Sequence, residues 1–264
     1  MQYDGNNKEA WGGSIMIKAE LTPRHAGIAI AGDYEDLNHL YDALIRILGD
    51  EDEYAAYVSA RIRILGLCYD IRHAYMGDRD IKVVDNNMTL EKMKLTGKVV
   101  HTTNVYYGFQ VLMPEILFIV MALNDFCMLR ARKETKQMPD PMRHKKIIWD
   151  RDIAQIRMLQ SAIFDCLAKA LEPRAVTRLL NLMIQEYPWM DGYITQYLDE
   201  LNVEILEMDQ DKRLKFVTIL AKRLTELDAP DYLGLRREIK DYAKAMGIAP
   251  DEVRLNLDYP DVEW

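Results

Sequence analysis

Val105 to Arg132 reads VYYGFQVLMPEILFIVMALNDFCMLRAR, and this stretch decides the fold. Val105, Tyr107, Phe109 and Val111 alternate with Tyr106, Gly108 and Gln110, the period of a strand with one buried face, and predict a strand ending near Leu112. Pro114 then suits the first turn of a helix, where its missing N–H would have had no partner. Glu115 follows where a carboxylate meets the positive end of the helix dipole. No polar side chain occurs from Ile116 to Leu123, so the helix has to be covered on most sides. The run stops at Asn124 and Asp125, short of the ~18 apolar residues that would suggest a membrane span. The stretch is read as a core helix, and no membrane partner is expected.

Working outward, Ile15–Leu21, a TPRHAG turn and Gly27–Ala31 predict a β-hairpin, with Pro23 and Gly27 supplying the turn conformations. Asp33 is an N-cap, and Leu37, Leu40, Tyr41, Leu44, Ile45 and Leu48 share one helical face behind it. Gly49 breaks that helix. A second runs to about Tyr75, Asp80–Val84 is a short strand, and Met88–Lys94 supplies a helical turn or two. The reading is α+β: a hairpin and helix with a small sheet of about four strands, followed by a mainly helical half. The expected organisation is a weakly ordered extension over 1–14, an α+β domain over 15–135, a basic linker over 136–150, a helical domain over 151–249 and an acidic tail over 250–264. The first helices of the later half end at Pro173 and at Tyr187 and Pro188, and Gly247 caps the last.

The 264 residues carry a net charge of -8, which argues against a general affinity for nucleic acid or anionic membrane. One segment goes the other way: residues 130–151 hold eight Lys or Arg against three carboxylates, with Pro139 and Pro141 in the middle. Arg143, Lys145, Lys146 and Trp149 there are candidates for contact with a nucleic acid or a protein partner. Docking of this segment against the acidic residues 33–53 needs less. Cys68, Cys127 and Cys166 are odd in number and set among apolar residues, which suits buried reduced thiols and a cytoplasmic setting.

Two constellations are candidates for chemistry. Asp70 and His73, i and i+3 on a helix with Arg72 between them, would let a carboxylate orient an imidazole for acid–base work. A helix C-terminus also favours cationic residues for purely structural reasons, and no nucleophile or third ligand stands beside the pair. Asp36, His39 and Asp42, three apart, offer ligands for Mg²⁺ or Ca²⁺, although carboxylates at a helix start are also what the dipole favours. Glu115 and Asp125, at the two ends of the apolar helix, are capping groups or partly buried carboxylates. No P-loop, GxGxxG, GxSxG, HExxH or paired CxxC occurs, and no cofactor is expected.

The segments AELTPRHAGIAIAGDYEDLNHLYDALIRILGDEDEY, RILGLCYDIRHAYMGDRD and NVYYGFQVLMPEILFIVMALNDF resemble a family of uncharacterised bacterial proteins of unknown function, over residues 16 to about 135. The resemblance implies a bacterial cytosolic origin and transfers no activity and no catalytic residue. The expectation is a non-enzymatic interaction or regulatory protein whose partner is another protein or a second copy, with the helical half and the acidic tail as contact surfaces. The alternative is a metal-dependent hydrolase or nuclease using the acidic and histidine clusters, and nucleic-acid binding through the basic segment ranks below both.

Overall fold

A computed structural model describes residues 17–184, 193–226 and 228–264. The expected extension over 1–14 and the helix stop at Tyr187 and Pro188 lie outside these residues. The fold is α+β, as the alternation and the helical periods predict. Strands β1 (Lys18–Leu21), β2 (Gly27–Gly32), β3 (Asp80–Asp85) and β4 (Thr103–Leu112) form one antiparallel sheet in the order β1-β2-β4-β3.

The hairpin forms as expected, but its glycine serves a different purpose. The left-handed position of the turn is taken by His25, at φ 56°. Gly27 is needed instead for close approach: a Cβ there would lie 1.9 Å from the carbonyl oxygen of Val111 on β4. Thr22 closes the turn, its hydroxyl oxygen accepting from the Gly27 N–H at 3.1 Å. Helix α1 (Tyr34–Leu48) starts on the predicted cap, which is a reciprocal capping box. The Asp36 N–H donates to Asp33 at 2.9 Å, and the Asp33 N–H donates back to Asp36 at 3.3 Å.

In β4 the predicted face holds at its C-terminal end, where Phe109 and Val111 are buried. It fails at the other end: Val105 is 42% exposed, and Tyr106, of the opposite parity, is only 3% exposed. The reason is pairing. Residues 107–112 of β4 lie against β2, whereas residues 103–106 pair with β3 alone, beyond the part of the sheet that β2 extends. Tyr106 is sheltered by Lys18, whose ammonium sits 5.1 Å from the ring centroid.

Pro114 stands in the first turn of α4 (Met113–Glu134), and every side chain from Ile116 to Leu123 is buried. The helix packs against the sheet, α1 and α2 (Val58–Tyr75), and it also meets α8 (Ile194–Glu207) and α9 (Gln210–Arg223) of the later half. Asn124, the polar stop, joins the later helices: its amide donates to the Met183 carbonyl at 3.1 Å, and its oxygen accepts from Gln160 at 3.1 Å and from Arg157. Met183 ends α7 (Pro173–Met183), and Gln160 lies on α6 (Arg151–Ala170). Helix α6 also lies against β1 and α1, so one continuous buried cluster runs from Ile17 to Val253. Cys68, Cys127 and Cys166 are buried free thiols in it, and burial pushes them up to about 12, 11 and 11.

Residues 136–150 contain a 3₁₀ turn (Pro141–Arg143) and one helical turn, α5 (Lys145–Ile148), with Ile147 buried. The last helix, α10 (Pro230–Met246), ends on Gly247 in the left-handed conformation that a glycine adopts without strain. Beyond it the acidic tail folds back over the protein: Val253 is buried, Glu263 pairs with Arg24, and Trp264 packs on the cluster of Ala26, Ile205 and Leu206.

Candidate functional site

A cleft of about 1150 Å³ opens where α2, the start of α4, α8 and the returning tail meet. Ile62 and Tyr69 of α2 form one wall, and Val253 and Leu255 of the tail form another. The floor is charged. Arg63, on α2, donates to Glu115 at 2.7 Å, to Asp199 at 2.8 Å and to the Thr195 carbonyl. Asn202 donates to the same Glu115 oxygen at 2.9 Å, and the hydroxyl of Tyr259 donates to Asp199 at 3.2 Å. Glu115 is thus more than the helix-start carboxylate of the sequence reading, because it is the acceptor that ties α2 to α8.

One guanidinium is shared by two carboxylates. Burial raises the carboxyl of Glu115 above the ordinary glutamate range, and Arg63 and Asn202 pull it back only in part. Burial also works against the charge of Arg63, but Glu115 and Asp199 more than offset it and its pKa rises. Burial, with Asp199 beside it, pushes the phenol of Tyr259 up to about 12. The arrangement locks three helices and the tail together. A second half-buried guanidinium, Arg223, plays a similar part between α9 and its neighbours, donating to Glu204 at 2.6 Å and to Asp231.

Of the residues singled out from the sequence, Glu115 lies on this floor and the histidine and acidic clusters lie apart from it. Asp70 is on the rim of the cleft and pairs with Arg79 at 3.0 Å. His73 is engaged elsewhere, its Nδ1 at 2.9 Å from the Tyr69 carbonyl and its ring 3.9 Å from the Tyr69 ring. Arg72 is exposed. Asp36 belongs to the capping box, and burial followed by the charge of Asp33 raises its pKa. His39 lies 3.6 Å from Glu35, and Asp42 lies 3.6 Å from Arg46. Among the described residues, no group of three or more His, Cys, Asp or Glu is placed to hold a metal ion.

In the basic segment Arg143 pairs with Asp140 at 3.3 Å, Lys145 and Lys146 are exposed, and Trp149 is 83% exposed. Two ion pairs join this region to residues 33–53, one with the expected polarity and one with the charges reversed. Lys133 meets Glu53 at 2.7 Å, and Arg46 makes a two-oxygen contact with Asp152 at 2.9 and 3.1 Å.

A second feature is built from a strand and a short helix that the sequence predicts, but its exposure has no counterpart in that reading. From Asp80 to Val105 the chain leaves the body as an arm: β3, then α3 (Leu90–Thr96), then a return through the exposed Val99 into β4. No residue of α3 is buried. Ile81, Val83, Leu90, Leu95 and Val99 are 53%, 66%, 74%, 87% and 95% exposed. The available signal was compositional: this stretch carries eight Val, Leu or Ile residues without one sustained helical or strand period that would place them all on one internal face.

These features define an α+β protein whose sheet and helical half share one core, with an ion-pair cleft at their junction and an apolar arm at the sheet edge. The chain belongs to the family described as a domain of unknown function, DUF6904, which matches residues 17–264. The match therefore runs through the helical half as well as the first 135 residues. Searches of curated proteins and of solved structures returned no match. Among the described residues, no helix is long and apolar enough to cross a membrane.

Proposed function

We propose that this chain is a non-enzymatic protein-interaction module whose recognition surface is the arm from Asp80 to Val105. The observation that carries the reading is α3, a seven-residue helix with no buried residue that nevertheless presents Leu90 and Leu95. Isolated helices this short are marginal in water, and apolar residues clustered on a projecting element mark interaction surfaces. The candidate acids and imidazoles support the same reading, because their contacts are caps and ion pairs that hold helices in place. Three buried thiols suit a cytoplasmic setting, where such groups stay reduced.

The test is photo-cross-linking in cells from a photoreactive phenylalanine analogue at Leu95, with Ile219 as the control on the body. Ile219 is 45% exposed but lies on α9. A discrete protein adduct from Leu95 and none from Ile219 is expected. Absence of any adduct from the arm would sink the reading.

A further inference from the structure

We propose that the cleft between α2 and the tail is a binding site for a small organic ammonium, a primary amine carried on an alkyl or arylalkyl body. The site lies apart from the arm, and separate observations carry it.

The floor is short of hydrogen-bond donors. Both donors to Glu115, Arg63 and Asn202, reach the same oxygen, Oε1. Both donors to the carboxylate of Asp199, Arg63 and Tyr259, likewise reach one oxygen, Oδ1. Glu115 Oε2 and Asp199 Oδ2 take no part in these bonds, and among the described residues none donates to either. Both residues line the cleft. A half-buried acceptor without a donor is costly, and a ligand that brings the donor removes that cost.

The floor is also short of one positive charge. Arg63 is the one guanidinium that Glu115 and Asp199 share, so two carboxylates face a single cation. The charges at the rim cancel: Asp70 is paired with Arg79, and Glu252 has Arg254 two residues away. Burial raises the Glu115 carboxyl above its ordinary range even with Arg63 and Asn202 in place, as an incompletely compensated carboxylate requires. A protonated amine supplies in one group what is missing, a positive charge and three N–H donors.

The walls select an apolar body for that amine. Val58, Ile62, Gly66 and Tyr69 follow one another at i, i+4, i+8 and i+11 along one face of α2, opposite the face that buries Ile64 and Leu67 in the core. Val58, Ile62 and Tyr69 are 41%, 55% and 57% exposed. Across from them the tail contributes Val253 and Leu255. Gly66 leaves this stripe open in its middle, since a Cβ there would meet nothing within 4 Å. Packing within the chain thus has no need of a glycine at a position where alanine would favour the helix. The gap admits an alkyl chain or a ring lying flat on α2 between Ile62 and Tyr69. A concave, largely apolar site with a few placed polar groups is the usual form of a small-molecule pocket, and about 1150 Å³ holds a whole ligand of this class. A hydrated inorganic cation would gain nothing from these walls.

The experiment is isothermal titration calorimetry on the full chain at neutral pH. The probes are hexylamine and phenethylamine, with hexanol and phenethyl alcohol as neutral molecules of the same shape and ammonium chloride as the charge without the body. Both amines are expected to bind at one per chain, the alcohols at least about tenfold more weakly, and ammonium chloride not at all. Asp199→Asn keeps the side chain's shape and removes its charge, and should weaken both amines about tenfold. Gly66→Leu places a side chain in the gap on α2 and should abolish binding without lowering the melting temperature. Amines that do not bind at millimolar concentration, alcohols that bind equally well, or binding that survives both variants overturns the proposal. Magnesium chloride bound in place of the amines, and lost in Asp199→Asn, overturns it in favour of a metal site. A capped alanine pentapeptide with one central lysine separates the two sources of an ammonium: binding no tighter than that of hexylamine supports a free amine, and tighter binding overturns it in favour of a protein segment.

Discussion

Replacing Arg63 with Met keeps the apolar stem and removes the guanidinium from the cleft floor. Glu115, Asp199 and the Thr195 carbonyl then lose a donor together. Asp199, whose side chain is 35% exposed, keeps the hydroxyl of Tyr259 and gains water. Glu115, at 15% exposed, keeps only Asn202. The cost is therefore set by Glu115, and a buried charge stripped of its counter-ion costs about 3–5 kcal/mol.

The pH dependence follows from the direction of the shift. Glu115 has its folded pKa raised above the unfolded value, so its contribution to stability is fully present below the ordinary glutamate pKa of ~4.3 and is lost as pH rises through the folded value. Removing Arg63 raises the folded value further. The gap between variant and wild type should thus be widest at neutral pH and should close as pH falls toward that of free glutamate. Urea denaturation followed by far-UV CD at several pH values measures it. Adding Glu115→Gln to Arg63→Met, which removes the orphaned charge, should recover part of the loss. A loss below ~1 kcal/mol at neutral pH, the worth of an exposed pair, or a loss that does not change with pH, would refute this account of the cleft.

Two further perturbations test the frame around it. Leu117→Ala opens a cavity in the fully buried run of α4 and should cost about 2–5 kcal/mol in the same denaturation assay, whereas a change within error would contradict the core assignment. Gly27→Ala drives a methyl against the Val111 carbonyl and should cost roughly 3 kcal/mol, at the upper end of overpacking penalties, because a backbone atom cannot rotate away. A melting temperature equal to that of the wild type would show that the β2–β4 spacing is less tight than described.

What the sequence made legible was periodic or local. Leu37, Leu40, Leu44 and Leu48 recur at helical spacing and are all buried in α1, whereas Ile45, at the edge of that face, is 38% exposed, and Asp33 caps the helix where a short acceptor side chain is expected. Pro114 and the apolar run to Leu123 marked α4. The cleft floor was not legible, since Arg63 and Glu115 are 52 residues apart and Arg63 and Asp199 are 136 apart. No spacing rule links residues that meet only through tertiary packing. The same limit explains Asp70 and His73, which the helix period puts side by side and which the fold engages with Arg79 and the Tyr69 carbonyl instead. Val105 followed the strand alternation, and its burial depended on whether β2 or β3 lay beside it, a fact of register rather than of composition.

The position of α4 bears on how such a chain can change over generations. In sequence this helix belongs with the sheet that precedes it, but helices encoded later, α8 and α9 among them, also pack against it. Gene fission or recombination at residues 136–150 would separate the helix from its cover, and each product would carry an uncovered apolar surface. Descent by shuffling of halves is thereby disfavoured, and the two parts are constrained to be inherited, and to drift, as one unit.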